Sequence, residues 1–235
     1  MADTNGYDEI DLENIANFNE LIGTDHSFKD GDVSVHFRGL KEKLLFEINN
    51  ADIVLGAVAW LTDHDLLEAI SKKPCQIVVQ KEDFLRPDME VILSNSSKIK
   101  LKEAYSKLSF IYTSMNFYNK IFELSYDEIF DLEPVRCFGI LTEKMKHCSP
   151  KMHNKFLIFC SFDASTNKIR PKKVWSGSAN LTEMSMYSLE NAILIDNETI
   201  AMQYLKEYEY IYSLSESLNW NSTWVSPFNN KCLKG

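Results

Sequence analysis

The feature that most constrains the fold is an apolar run over residues 53–61, followed by a helical pattern and a second apolar run. A continuous apolar run of this length is typical of a strand that is buried on both faces. Thr62 or Asp63 is suited to cap the helix that follows, and residues 75–80 form another short buried strand. Strand, helix and strand at this spacing predict a parallel β-α-β unit.

Patterns on both sides of this unit predict more elements of the same two kinds. Strands are predicted at residues 32–37, 135–141, 155–162, 173–176 and 191–195. Helices are predicted at residues 40–50, 98–120, 181–188 and 199–214. Together they indicate the α/β class, with a mixed, largely parallel β-sheet flanked by helices on both faces.

The charge is distributed unevenly over the 235 residues. The net charge is −9, and residues 1–30 hold eight acidic residues and one basic residue. We therefore predict an acidic arm at residues 1–30. The pattern of helices and strands predicts an α/β domain at 31–218 with an insertion around 82–134, and a tail at 219–235. Residues 131–180 are locally basic, with nine Lys or Arg against four Asp or Glu. A local positive field can attract phosphate even when the whole chain is acidic.

Composition excludes several classes of protein. Apolar residues make up 45% and charged residues 25%, as in an ordinary globular domain. The longest apolar run is far shorter than the ~20 residues that cross a bilayer, and the acidic start does not look like a signal peptide. The five cysteines are an odd number without CxxC spacing, so reduced thiols are expected. We therefore expect a cytoplasmic protein with no stable membrane association.

Common nucleotide, metal and hydrolase motifs do not occur in the sequence, but one set of polar residues could share a site. His153 and Lys155 are two residues apart at the start of a predicted strand, so their side chains point to the same side. Ser178 and Asn180 have the same spacing at the end of the next strand. An imidazole, an ammonium, a hydroxyl and an amide brought to one place would make a phosphate site with one nucleophile and three donors. No set of four residues has the spacing of a structural zinc site, so we expect no metal.

These residues resemble the motifs of the phospholipase D superfamily, H-x-K-(x4)-D followed by G-S-x-N. The similarity covers residues 153–159, the Gly177-Ser178-Ala179-Asn180 segment and residues 188–195, which include Glu190. It is greatest to the small bacterial phosphodiesterase-nucleases that carry one such motif per chain. The resemblance implies a phospholipase D-like fold.

The resemblance also implies a reaction without a metal or other cofactor. His153 would form a covalent phosphohistidine, Glu190 would be the carboxylate partner of that imidazole, and Lys155, Ser178 and Asn180 would bind the phosphate oxygens. In this family the acid for the leaving oxygen is the histidine of a second motif. Since the chain has no second motif, that acid should come from another copy, which predicts a homodimer.

One position departs from the motif. The aspartate falls at position 160, which is Cys160, while Asp163 lies three residues further on. If Glu190 is the histidine partner, Cys160 affects local stability or substrate positioning rather than the chemistry. The competing interpretation is a degenerate, inactive copy.

Nucleic acid is the first choice of substrate, because the small single-motif members are mostly nucleases. Five basic residues near the motif are candidates for contacting it: Lys151, Lys168, Arg170, Lys172 and Lys173. The alternative for each is an ordinary solvated surface residue. Two other functions stay open: a lipid phosphodiesterase or phosphatidyl transferase, and a catalytically inactive nucleic-acid-binding module. The acidic arm is either a solubilising tail or a DNA mimic that occupies the cleft.

Overall fold

The computed structural model describes residues 18–21, 24–81, 95–109, 133–139, 151–165 and 168–218. Most of the predicted arm, most of the 82–134 insertion and all of the tail lie outside these described residues. The helices are α1 (Phe18–Leu21), α2 (Leu40–Asn50), α3 (His64–Ser71), α4 (Asn95–Ser106), α5 (Glu183–Tyr187) and α6 (Glu198–Ser213). The strands are β1 (Phe28–Asp30), β2 (Val33–His36), β3 (Ile53–Val58), β4 (Cys75–Gln80), β5 (Val135–Phe138), β6 (Lys155–Asp163), β7 (Lys168–Gly177), β8 (Ala192–Ile195) and β9 (Glu216–Ser217).

The described strands form a single nine-stranded mixed sheet in the order β1-β2-β8-β7-β6-β3-β4-β5-β9. The α/β class and the mixed sheet are as predicted, but the sheet is less parallel than expected. The pairs β3–β4 and β4–β5 are parallel, and the other six neighbouring pairs are antiparallel. For β6 and β7 the physical reason is that only four residues separate them in the chain, which is too few for the crossover that a parallel pair requires.

The predicted β-α-β unit is confirmed as β3, α3 and β4, with Val54 beside Cys75 in a parallel register. Asp63 is the helix cap, because its carboxylate accepts hydrogen bonds from the backbone amides of Asp65 and Leu66, each at 3.0 Å. Strand β3 ends at Val58, three residues earlier than predicted.

The core lies in two layers, one on each face of the sheet. On one face, α2, α3 and α4 cover a large apolar cluster that includes Leu44, Leu66 and Leu101. On the other face, α6 covers a second cluster through side chains such as Leu205 and Tyr208. Helices therefore flank both faces, as the sequence predicts.

Helix α4 is shorter than the helix predicted over residues 98–120. It ends at Ser106, where the amides of Lys107 and Leu108 bond three residues back and tighten the last turn. The carbonyl of Ser109 then accepts a hydrogen bond from the Cys75 amide at 2.9 Å, so the chain runs beside β4 instead of continuing the helix. Residues 110–120 lie outside the described part of the chain.

The sheet topology brings three segments that are distant in sequence to one edge. Strands β6, β7 and β8 are antiparallel neighbours, with Phe156 beside Ser176 and Gly177 beside Ala192. The start of β6, the end of β7 and the start of β8 therefore meet at the same edge. We call this edge, with residues 151–155, 177–181 and 188–192, the site edge.

Candidate active site

All five residues predicted to act in catalysis lie at the site edge. His153 precedes β6, Lys155 is the first residue of β6, Ser178 and Asn180 follow β7, and Glu190 precedes β8. His153 and Ser178 are exposed, and the other three are half-buried. Topology alone thus places an imidazole, an ammonium, a hydroxyl, an amide and a carboxylate next to one another.

His153 and Lys155 are in direct contact. The Lys155 Nζ lies 2.9 Å from the His153 Nδ1 and 3.4 Å from its Nε2, and it donates a hydrogen bond to the His153 carbonyl at 3.1 Å. These contacts and the hydrogen bond to the carbonyl hold the imidazole of His153 against the Lys155 side chain at the site edge.

Ser178 and Glu190 form a second pair. The Ser178 hydroxyl donates a short hydrogen bond to the Glu190 carboxylate, and the Asn191 amide donates to the Ser178 Oγ at 3.0 Å. Gly177 makes this approach possible, because a Cβ at that position would lie 2.1 Å from the Asn191 carbonyl oxygen. The glycine of the G-S-x-N motif is thus required by the close contact of the backbone at the ends of β7 and β8.

Lys155 connects the two pairs electrostatically. Burial lowers the pKa of Lys155, and the negative charge of Glu190 opposes that shift. The Glu190 carboxylate bonds to Ser178, and in the part of the chain described it makes no hydrogen bond to His153. The expected pairing of Glu190 with the imidazole is therefore not formed in this structure.

The side-chain oxygen of Asn180 is a polar atom that makes no hydrogen bond to the described residues. This atom, Oδ1, is buried. The neighbouring side chains of Ala179 and Leu181 are in the core, which fixes the backbone around Asn180. A buried oxygen without a donor is costly, so this atom is suited to accept a hydrogen bond from a bound group.

Sequence reasoning missed Gln80, which holds the segment that carries His153. The buried Gln80 side chain accepts a hydrogen bond from the Met152 amide at 2.6 Å, and its amide nitrogen donates to the Lys81 carbonyl at 3.1 Å. On the other side of His153, the Asn154 carbonyl accepts from the Ala59 amide at 2.8 Å. A polar residue at the end of a strand that is predicted to be buried is the signal that could have identified Gln80.

Cys160 lies far from the site edge. It is five residues beyond Lys155 along β6, roughly 16 Å at the rise of a strand, and its side chain is in the core below α6. Burial raises the pKa of its thiol well above the ordinary range. Asp163 lies still further along β6 and pairs with Arg170 at 3.2 Å, so it does not reach the site edge either. Among the described residues, Cys75, Cys137 and Cys160 are free cysteines and are buried.

The structure does not gather the five predicted nucleic-acid-binding residues at the site edge. Lys151 is exposed and lies two residues before His153. The others lie on β7 toward its opposite end, and three of them are engaged with carboxylates. Arg170 pairs with Asp163, Lys172 with Glu198, and Lys173 with Glu47 at 3.1 Å and Asp196 at 3.4 Å; of Lys168 only the backbone is described. Contact of these residues with nucleic acid stays a prediction.

Two other properties of the described residues concern metals and membranes. In the described ranges, no group of three or more His, Cys, Asp or Glu side chains is placed to hold a metal ion. No helix among the described residues combines the length and the apolar character needed to cross a membrane.

Comparison with solved structures identifies the class of fold. The chain is similar to NucT from Helicobacter pylori, with a TM-score of 0.50 and 16% identity over 79% of this chain and 98% of that one. It also matches a phospholipase D family member, Nuc from Salmonella typhimurium, with a TM-score of 0.44 and 14% identity over 78% and 95% of the two chains. The similarity to NucT shows a phospholipase D-like fold, as the motifs predict.

A sequence relative then places the chain in a family. No protein-family model matches the sequence. The chain is 35% identical over 232 residues to the uncharacterized protein L381 of Acanthamoeba polyphaga mimivirus, covering 93% of this chain and 77% of that protein. The chain belongs to the same family as this mimivirus protein.

Proposed function

We propose that this protein is a metal-independent phosphodiesterase, and that it is a nuclease that cleaves DNA or RNA. The observation that carries the proposal is the meeting of the His153–Lys155 pair and the Ser178–Glu190 pair at one sheet edge. This set supplies a nucleophile, hydrogen-bond donors for phosphate oxygens and a carboxylate within one small region. The phospholipase D-like fold supports the same reaction class.

In the first step a ring nitrogen of His153 attacks phosphorus. The N–P bond forms while the bond from phosphorus to the leaving oxygen breaks, and that oxygen receives a proton from a general acid. The enzyme then carries a phosphohistidine. In the second step water attacks phosphorus, the N–P bond breaks, and the water proton returns to the general acid.

Three residues bind the non-bridging oxygens, where negative charge develops in the transition state. Lys155 contributes a positive charge, and Ser178 and Asn180 contribute neutral hydrogen-bond donors. Removing one such donor typically lowers turnover by roughly 10²- to 10³-fold. Glu190 positions Ser178 by accepting the hydrogen bond of its hydroxyl. Once the Ser178 hydroxyl donates to a bound phosphate instead, the Glu190 carboxylate pairs with the His153 imidazole.

The general acid comes from His153 of a second copy of the chain. One chain offers a single H-x-K motif, so a complete site needs two chains related by a two-fold axis through the cleft. Ultracentrifugation at micromolar concentration should therefore show a dimer. An active species that is strictly monomeric would contradict this arrangement.

The test of the proposed function is a nuclease assay with EDTA present. We expect cleavage of a labelled oligonucleotide by the unaltered protein, loss of cleavage in His153→Ala, and a labelled covalent adduct on His153 after rapid quenching with denaturant at alkaline pH, where the N–P bond survives. His64→Ala is the matched control, because His64 is exposed at the start of α3 and is not part of the site edge. Cleavage that persists in His153→Ala would refute the mechanism.

A lipid phosphodiester is the second candidate substrate. It is favoured by three exposed apolar side chains on segments at or beside the site edge: Trp60, Met184 and Leu189. Turnover of phospholipid vesicles without turnover of oligonucleotides would select this function. Binding of oligonucleotides without turnover of either substrate would identify an inactive binding module.

A further inference from the structure

The backbone of residues 59 and 60 is hydrogen-bonded to both halves of the candidate site. Trp60 follows β3, and the amide of the preceding residue, Ala59, donates to the carbonyl of Asn154 at 2.8 Å. The carbonyl of Trp60 itself accepts from the amide of Leu181 at 3.0 Å. Asn154 comes directly after His153 and Leu181 directly after Asn180, so Trp60 lies between the two motif segments.

The indole of Trp60 points outward from this position. The side chains on either side, Ala59 and Leu61, are buried at 1% and 0% exposure, whereas Trp60 is 40% exposed. The core therefore receives the neighbours of Trp60 and leaves a large part of its ring in solvent. An exposed tryptophan combines a wide apolar face with one N–H donor, which suits it to flat aromatic ligands.

Three of the five basic residues that were predicted to bind nucleic acid form ion pairs away from the site edge. Arg170, Lys172 and Lys173 make ion pairs with carboxylates, and they lie along β7 away from Ser178. These ion pairs would have to break before the three side chains could contact a substrate at the site edge. A stacking surface next to the phosphate-binding groups offers binding energy that does not depend on them.

We propose, on the basis of the nuclease function proposed above, that Trp60 stacks against a base of the substrate next to the phosphate that is cleaved. Stacking of bases on aromatic side chains is tolerant of sequence because every base has a π-face. In a duplex each base face is covered by its neighbours, so a base must be unpaired or unstacked to reach the indole. Trp60 thus selects single-stranded nucleic acid as the substrate class.

The test measures binding separately from cleavage. In the His153→Ala background, the affinity for a fluorescent single-stranded oligonucleotide is measured by anisotropy, with and without Trp60→Ala. We expect Trp60→Ala to weaken binding roughly 5- to 150-fold, the effect of losing one stacked base. Trp60→Phe should retain part of the affinity, and Tyr210→Ala, which removes an aromatic ring 67% exposed on α6, should retain all of it. Thermal unfolding of each variant verifies that the fold is intact.

An abasic oligomer of the same length separates stacking from backbone contacts. Its phosphates are intact but it has no bases, so Trp60→Ala should leave its affinity unchanged. An equal loss for both oligomers, no loss for either, or no binding of either would overturn the inference. A change from dimer to monomer in Trp60→Ala would also overturn it, because the ring would then belong to a contact between copies of the chain. The same holds if Trp60→Ala weakens binding to phospholipid vesicles and leaves oligonucleotide binding unchanged.

The same measurements distinguish this inference from the proposed function. Loss of oligonucleotide binding in Trp60→Ala, together with no cleavage by the unaltered protein, would refute the nuclease and keep Trp60 as a base-binding residue. Cleavage by the unaltered protein at the same rate as by Trp60→Ala, at subsaturating oligonucleotide, would refute the role of Trp60 and keep the nuclease.

Discussion

A buried carboxyl group on α6 makes the stability of the folded protein depend on pH. Glu209 is fully buried, and neither of its carboxylate oxygens has a hydrogen-bond partner among the described residues. Burial raises the pKa of Glu209 to about 7, from 4.5 for an ordinary glutamate, and the charge of Lys206 opposes this only in part. Ionisation of Glu209 at neutral pH therefore destabilises the folded protein.

The magnitude follows from the difference in pKa between the folded and unfolded chain. A shift from 4.5 to about 7 corresponds to about 3 kcal/mol of unfolding free energy at a pH above both values. Between these two values the folded chain binds more protons than the unfolded chain, so stability falls as the pH rises. Below pH 4.5 both states carry the neutral acid, and the loss disappears.

Glu209→Gln removes the titration and keeps the size of the side chain. We expect the variant to match the unaltered protein near pH 4 and to be more stable by about 2–3 kcal/mol at pH 8. Urea unfolding across this pH range, with the difference in free energy plotted against pH, checks the expectation. Glu207→Gln, at an exposed position on the same helix, should give a difference near zero throughout. A gain for Glu209→Gln that is the same at pH 4 and pH 8 would refute the argument.

Three further substitutions test how the site edge and its supporting helix are held. Gly177→Ala places a Cβ 2.1 Å from a backbone oxygen, so thermal unfolding should show a loss of at least ~1–3 kcal/mol and turnover should fall. Gln80→Leu leaves the Met152 amide without its acceptor, and urea unfolding should show a loss of about 1–3 kcal/mol together with reduced turnover. Asp63→Ala removes the cap of α3 and should cost ~1–2 kcal/mol, whereas the exposed Asp65→Ala keeps the cap and should cost less than ~0.5 kcal/mol. Unchanged stability in any of the first three would contradict the contact that it removes.

The prediction from sequence was most successful where structure depends on residues close together in the chain. The β-α-β unit, a helix cap at Thr62 or Asp63 and the helix at residues 40–50 follow from local periodicity and from which side chains can bond to a helix start. It was least successful where tertiary contacts compete with periodicity. The apolar spacing over residues 98–120 predicts one long helix, yet pairing of Ser109 beside β4 ends α4 at Ser106.

The contacts that make the site were decided by the order of the strands. Nothing near Glu190 in the sequence indicates that its carboxylate bonds to Ser178 rather than to His153, because that choice depends on the approach of β7 to β8. In the same way, Gln80 and Trp60 reach the site edge only because β4 and β3 end there.

What the sequence by itself determined is the set of reactive groups and which of them are close together in the chain, as His153 and Lys155 are. What only the tertiary structure decided is which distant segments meet, how many strands are parallel, and that Cys160 lies in the core. The physical reason is that these features come from packing whole strands and helices together, and residues a few positions apart carry little information about that packing.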